Sequence, residues 1–271
     1  MTVEESKSDT SSNASEVVAR IVQCLSTLER TSEFSIGGRC QLPILPGLCI
    51  KGIGMIPLPI TMPIAEQIKK VANPAPFGKG LETIVDEKVR KAWEINADLV
   101  SITHPDWLKW LSHLVDEIGE SLEFGGKVSA IFYKALLYEE GGHFDFHKDT
   151  EKENKMFGTL VIQLPSICTG GRLVTRFKGK ENYHDFGAST GQAAFASHFA
   201  AHYADVEHGL ETVTSGFRFV LTYSLVWDSY GIAPSAEENA AKSEKLANLM
   251  LEYSKKSPKD CFGIPLDHEY T

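Results

Sequence analysis

Residues 127–138, KVSAIFYKALLY, open a long stretch in which the hydrophobic pattern repeats every second residue. FGTLVIQLP (157–165), GRLVTRF (171–177) and FRFVLTYSLVW (217–227) continue it, each rich in β-branched and aromatic residues. Turn residues separate the runs and no helical pattern intervenes, so they are expected to be antiparallel strands. An antiparallel β region of this kind closes as a barrel or a jelly roll. In the last run Arg218, Thr222 and Ser224 alternate against Phe217, Phe219, Leu221 and Tyr223, so one face of the strand is polar. A polar face inside an apolar strand requires solvent or a buried charged ligand, because an unpaired buried charge is costly.

The flanks read as support. Pro105 opens a helix whose Trp107, Leu108, Leu111, Leu114, Val115, Ile118 and Leu122 form a broad apolar stripe suited to a sheet, with its tryptophans as core residues. Ser15 is expected to cap a short helix with Val18, Ile21, Leu25 and Leu28 on one face. Residues 36–61 are punctuated by Gly and Pro between β-branched pairs, which predicts short strands and turns, and a brief helix follows from Pro63. Segment 73–87 reads as an exposed loop. Ser235 and Glu238 form a capping box for a helix carrying Leu246, Leu249, Met250 and Tyr253. The expected organisation is a disordered tail (1–14), an N-terminal support region of helices and short strands (15–126), a β core (127–228) and a C-terminal helical extension (229–271). The chain stops at LDHEYT without a capped element, the pattern expected of a fragment of a longer protein.

Composition excludes several classes. With 271 residues and 42% hydrophobic content the chain can bury a substantial core in one principal domain. A net charge of −9 offers no basic field to a phosphate backbone, so nucleic acid is not an expected partner. No signal-type leader and no membrane-length apolar run occurs, which predicts a soluble intracellular protein, cytoplasmic or nuclear. The five cysteines, Cys24, Cys40, Cys49, Cys168 and Cys261, are odd in number and widely spaced, so free thiols are expected.

Residues 141–150, GGHFDFHKDT, hold two His-x-Asp pairs, His143 with Asp145 and His147 with Asp149. On a strand such a pair places both side chains on one face within reach of one cation. A histidine from another strand would complete the 2-His-1-carboxylate arrangement typical of non-haem Fe(II) oxygenases. Parity alone cannot choose, because 143, 145, 147 and 149 would share a face.

Context distinguishes the pairs. The second sits in Tyr138-x-x-Gly141-x-x-Phe144-x-x-His147-x-Asp149, and far downstream His208 is followed by Val213, Gly216 and Arg218. These two half-motifs, with Gly170-Gly171 between them, resemble the Fe(II)/2-oxoglutarate dioxygenases of the prolyl 4-hydroxylase type over residues 127–227, and the flanks resemble prolyl-4-hydroxylase-like proteins of fungi. The resemblance implies that His147, Asp149 and His208 are iron ligands, that Arg218 pairs with the distal carboxylate of 2-oxoglutarate, and that Tyr138 donates a hydrogen bond to the same cosubstrate. His143 and Asp145 are then decoys or outer groups, and His198 and His202 lack Gly and Arg at the matching offsets. Leu173 stands where the family often has threonine, which changes the pocket lining, and Thr212 replaces a common proline. Arg172 and Arg176 are read as solvated.

The fold so implied is mainly β with supporting helices, its core a double-stranded β-helix, the jelly roll. The implied reaction is hydroxylation of an unactivated C–H bond on a prolyl residue, an amino acid or a related small molecule, with Fe(II), 2-oxoglutarate and O2, and ascorbate as a candidate reductant. The substrate is expected to be a peptide or a small molecule; oligomeric state is left open. A cupin-like Zn or Mn enzyme would keep the ligands without needing Arg218. An oxygen- or iron-sensing regulator would keep every residue, a non-catalytic module would need a broken triad, and a halogenase would lack Asp149.

Overall fold

Period-two patterning becomes strands, and the order of those strands in space defines the architecture. The computed structural model describes residues 16–24, 33–41, 45–79, 82–122, 127–150, 152–228 and 237–256. Helix α1 covers 16–24. The Gly- and Pro-punctuated segment then forms β1 (Ser35–Arg39), β2 (Leu48–Ile50) and β3 (Gly54–Met55), and α2 (Met62–Lys69) follows with proline in its first turn. Short strands β4 (Asn73–Pro74), β5 (Phe77–Lys79), β6 (Glu82–Ile84), β7 (Arg90–Lys91), β8 (Trp93–Asn96) and β9 (Val100–Ile102) lead to α3 (Trp107–Ser121). The region expected to be an exposed loop, 73–87, therefore holds β4 and a β5–β6 hairpin, and Ala75 is buried. The proline and glycine content that suggested a loop marks the ends of very short strands instead.

The core strands are β10 (Val128–Tyr138), β11 (His143–His147), β12 (Met156–Gln163), β13 (Cys168–Gly170), β14 (Leu173–Phe177), β15 (Lys180–His184), β16 (His198–Tyr203), β17 (Glu207–Leu210), β18 (Val213–Gly216) and β19 (Arg218–Trp227), followed by α4 (Glu237–Lys256). They build a large antiparallel sheet in the order β1-β16-β12-β19-β10-β8-β4 and a smaller one in the order β15-β14-β17-β11-β7. The chain visits them alternately: β10 large, β11 small, β12 large, β14 and β15 small, β16 large, β17 small, β19 large. This winding of two facing antiparallel sheets is the double-stranded β-helix, so the protein is mainly β with a jelly-roll core.

The large sheet is covered on both faces, which fits its strongly apolar strands. Its outer face, with Ala135, Leu137, Leu160, Ile162, Phe219, Leu221 and Tyr223, packs on Trp107, Trp110, Leu111, Leu114, Val115 and Ile118 of α3. Each fully buried large apolar side chain there contributes about 1.5–3 kcal/mol. Trp107 also donates its indole N–H to the Tyr223 hydroxyl at 3.2 Å. Leu108, expected in this stripe, is 76% exposed, because the stripe on α3 is narrower than the sequence suggested. The inner face, with Leu136, Tyr138, Ala200 and Val220, meets Leu173 and Leu210 of the smaller sheet.

A separate apolar cluster joins α1 to α4 through Val17, Ile21, Cys24, Leu249 and Tyr253. Met250 of the expected α4 stripe is half-exposed. Ser15, Leu25, Leu28, Ser235, Cys261 and the tail 1–14 lie outside the described residues. The four cysteines among the described residues are free thiols. No helix among them is long and apolar enough to cross a membrane.

Candidate metal centre

Two β-bulges shape the site. In β11 Phe144 pairs with Leu210 and His147 with His208, so Asp145 and Phe146 on one strand oppose the single Gly209 on the other. The extra residue breaks the shared parity expected of 143–149. Phe144 and His147 now stack face to face, ring centroids 3.7 Å apart, while His143 turns its ring nitrogens to the carbonyls of Gly141 (3.0 Å) and Lys88 (3.1 Å). In β10 the register shifts between Phe132 and Lys134, and both Tyr133 and Lys134 face the cavity between the sheets. Bulges re-aim side chains in this way beside binding sites.

His147 ends β11, Asp149 follows it just beyond the strand, and His208 projects from β17. Each offers one ligand atom, and these atoms lie within 4.8 Å of one another. His147 Nε2 is 3.9 Å from Asp149 Oδ1, and His208 Nε2 is 3.7 Å from Oδ2. The separations of 3.9 and 3.7 Å fall below the about 4.2 Å that two donors each about 2.1 Å from one cation can span.

Hydrogen bonding fixes which atoms converge. Nδ1 of His147 donates to the Asp145 carbonyl at 2.8 Å, and Nδ1 of His208 donates to the Val206 carbonyl at 3.0 Å. A carbonyl can only accept, so in the neutral rings the proton sits on Nδ1 and the Nε2 lone pair points at the shared centre. Asp149 accepts from the Thr159 hydroxyl at 2.6 Å. Burial alone would raise its pKa, yet His208, His202 and His147 with the Thr159 hydrogen bond hold it well below the usual carboxylate range. Burial lowers His147 and brings His208 to about 4, partly opposed by Asp149 in each case. The donor set is therefore one carboxylate and two neutral imidazoles, the set that suits a divalent transition metal.

The same cavity, about 650 Å³, is lined by His147, Asp149, His208, Tyr138 and Arg218. Arg218 starts β19, where the alternation that reads as a polar face does line the cavity: Arg218, Thr222 and Ser224 point inward with Val220, while Phe219, Leu221 and Tyr223 point out to α3. The residue is 2% exposed, and its guanidinium stands 4.5 Å from the Phe186 ring and 5.6 Å from that of Tyr138, its register partner. Nε has no hydrogen-bond partner, and among the described residues Arg218 makes no ion pair. Burial lowers its pKa from the ordinary value, with Tyr138 and Cys168 opposing. A buried cation without a counter-charge is costly, and an anion in the cavity would relieve it.

Gly171 makes room for that arginine. Its φ is +67°, and a Cβ there would meet Val213 Cγ2 at 2.9 Å and Arg218 Cδ at 3.1 Å. The Gly170–Gly171 pair is thus both a turn and the floor beneath Arg218. Gly171→Ala is expected to cost about 1–2 kcal/mol of stability and, if Arg218 takes the distal carboxylate of 2-oxoglutarate as the resemblance implies, to weaken 2-oxoglutarate while leaving iron affinity intact. Parallel titrations of the two ligands check this, and an unchanged 2-oxoglutarate affinity would reduce the glycine to a turn residue.

Three residues that line or support the site are absent from the motifs: Thr159 behind Asp149, Arg90, and His202, whose ring lies 4.1 Å from that of His208, while Phe144, a motif position, lies under His147. The inward parity of Thr159 in FGTLVIQLP was readable as a polar residue on a core strand. Arg172 and Arg176 are exposed and paired with Glu211 and Glu181.

Acid sensitivity follows from the buried histidines. Burial brings His184, His202 and His208 to about 4 from an ordinary 6.5. Below pH 6.5 the unfolded chain takes up protons that the folded one refuses until about 4, so the unfolded state binds more protons in that window. Stability is then fully present above 6.5 and declines as pH falls towards 4. The metal-free protein should melt at progressively lower temperature across this window, and a flat melting profile would contradict neutral burial of these rings.

No protein-family model matches the chain, and no curated protein matches it significantly. Solved structures that align with it include a prolyl-4-hydroxylase of Pseudomonas putida (TM-score 0.43, 16% identity, covering 78% of this chain and 100% of that one). Others are an oxidoreductase of the 2OG-Fe(II) oxygenase family from Burkholderia pseudomallei (TM-score 0.41, 11% identity, 87% and 98%) and a prolyl hydroxylase from Trichoplax adhaerens, in complex with a peptide fragment of hypoxia inducible factor (TM-score 0.44, 12% identity, 82% and 94%). At these values the functional reading rests on this chain's own residues.

Proposed function

We propose that the protein is an Fe(II)- and 2-oxoglutarate-dependent dioxygenase that hydroxylates an unactivated C–H bond of a prolyl residue, an amino acid or a related small molecule. The observation that carries this reading is a single cavity with two complementary deficits, three convergent donor atoms at one place and a buried, uncompensated guanidinium at another. Iron and 2-oxoglutarate, when bound, supply the oxidising power, with O2 consumed and succinate and carbon dioxide released.

The chain's residues bind, orient and shield. His147, Asp149 and His208 would hold the cation. Arg218 would pair with the distal carboxylate of 2-oxoglutarate through charge-assisted hydrogen bonds, and the Tyr138 hydroxyl would donate to the same molecule. Leu136, Val161, Leu173, Leu210 and Val220 give the cavity apolar walls that limit water. A cupin-like metal site would have no use for Arg218, whose burial is then unexplained.

Anaerobic titration with Fe(II) and then 2-oxoglutarate, followed by admission of oxygen and measurement of succinate, tests the proposal. Stoichiometric iron, 2-oxoglutarate binding to the iron-loaded protein and oxygen-dependent succinate are expected. Iron binding without any 2-oxoglutarate affinity would transfer support to the cupin-like reading.

A further inference from the structure

Arg90 belongs to none of the motifs, yet it is only 7% exposed and lines the same cavity as the metal donors. Its guanidinium lies 4.3 Å from the ring of Phe144, which stacks on His147, and its charge opposes protonation of both His147 and His208. Nη1 donates to the Pro76 carbonyl at 2.7 Å. Nε is buried without a partner, and among the described residues nothing accepts from Nη2 and no carboxylate pairs with the group.

The Nε/Nη2 edge of Arg90 is thus unused. Elsewhere in this chain Arg172 uses that edge on Glu211, Nε to one oxygen at 2.9 Å and Nη2 to the other at 2.8 Å. Arg90 presents the same edge in a buried setting with no acid opposite it. The cavity is also cationic in an acidic chain: Arg90, Lys134, Lys148, Lys152 and Arg218 line it against Asp145 and Asp149, whereas the whole sequence carries −9. Lys134 is neutralised by Glu94 at 2.6 Å. In the loaded site the charges of iron(II), Asp149, dianionic 2-oxoglutarate and Arg218 cancel, which leaves Arg90 as the buried charge still without a counter-ion.

We infer that Arg90 binds a carboxylate carried by the substrate, so that the substrate is an acid, either a free or N-acylated amino acid or a peptide presenting a carboxylate, and not an uncharged internal prolyl segment. This rests on the dioxygenase reading. Phe144 packs against the guanidinium and the Pro76 carbonyl fixes its rotation. A planar fork so fixed selects a carboxylate by geometry as well as by charge.

Protein loaded anaerobically with Fe(II) and 2-oxoglutarate is titrated with a pool of N-acetyl-L-amino acids and, separately, with the matching C-terminal amides, binding being read by ligand-observed NMR. Carboxylate-bearing members are expected to bind, with uncharged amides about 10- to 100-fold weaker. Binding by the aspartyl and glutamyl amides as well would place the carboxylate on a side chain. Arg90→Gln should erase the preference at an unchanged 2-oxoglutarate affinity, and Arg90→Lys should keep part of it. Acids that bind no better than neutral amides in the wild-type protein, or a preference that survives in Arg90→Gln, overturn the inference. The wild-type comparison decides even where a variant fails to fold. Loss of 2-oxoglutarate binding in the wild-type protein would instead bring down the dioxygenase reading and this inference with it.

Discussion

Asp149→Ala, His147→Ala and His208→Ala are each expected to lose stoichiometric Fe(II) binding, and His143→Ala is expected to keep it. The three targets supply the donor atoms that lie within 4.8 Å of one another, and His143 supplies none. Removing a group that merely orients a ligand typically costs about 10- to 100-fold in metal affinity. Removing a ligand outright exceeds that, since only two donors remain. Thr159→Val provides the graded case: its hydroxyl orients Asp149 from 2.6 Å, so a loss of about 10- to 100-fold is expected with binding still measurable. Anaerobic iron titration with circular dichroism as a folding control separates these outcomes. Equal loss in His143→Ala, with the fold intact, would sink the assignment of the second His-x-Asp pair.

The two half-motifs were legible because each is local. His147 and Asp149 sit in one short run of sequence and His208 and Arg218 in another, so each pattern could be read locally, and the structure brings all four with Tyr138 to one cavity even though His208 on β17 and Arg218 on β19 belong to different sheets. The strands themselves were legible from period two, as the outward Phe219, Leu221 and Tyr223 show against the inward Arg218, Thr222 and Ser224. Parity failed where a bulge inserts a residue. No alternation pattern announces that Phe144, and not Asp145, will stack on His147, or that Tyr133 and Lys134 will face the same way. Arg90 was hidden for a different reason. It sits on a two-residue strand that joins the edge of the smaller sheet, and such a strand is too short to carry a period. Its position depends on long-range pairing of β7 with β11, which local sequence does not encode.

Arg218→Ala is expected to separate cosubstrate from metal. Arg218 is almost fully buried, its Nε lacks a partner, and it shares the cavity with the three converging donors without being one of them. On the proposed reading the distal carboxylate of 2-oxoglutarate is the missing counter-charge, and removal of the arginine would leave that carboxylate buried and unpaired. Breaking a buried charged pair from one side costs about 3–5 kcal/mol, which is roughly a few hundred- to a few thousand-fold in affinity. Iron affinity should change little, because all three donors and their hydrogen bonds remain. Arg218→Lys should recover part of the loss: it restores the charge but not the two-pronged geometry, and its ammonium gains less from the Phe186 ring face now covered by the planar guanidinium. Titration of 2-oxoglutarate into iron-loaded variants measures each step. A wild-type dissociation constant in Arg218→Ala would remove the reason for treating the cavity as a 2-oxoglutarate site, since the uncompensated arginine is the feature that a cupin-like metal centre does not need.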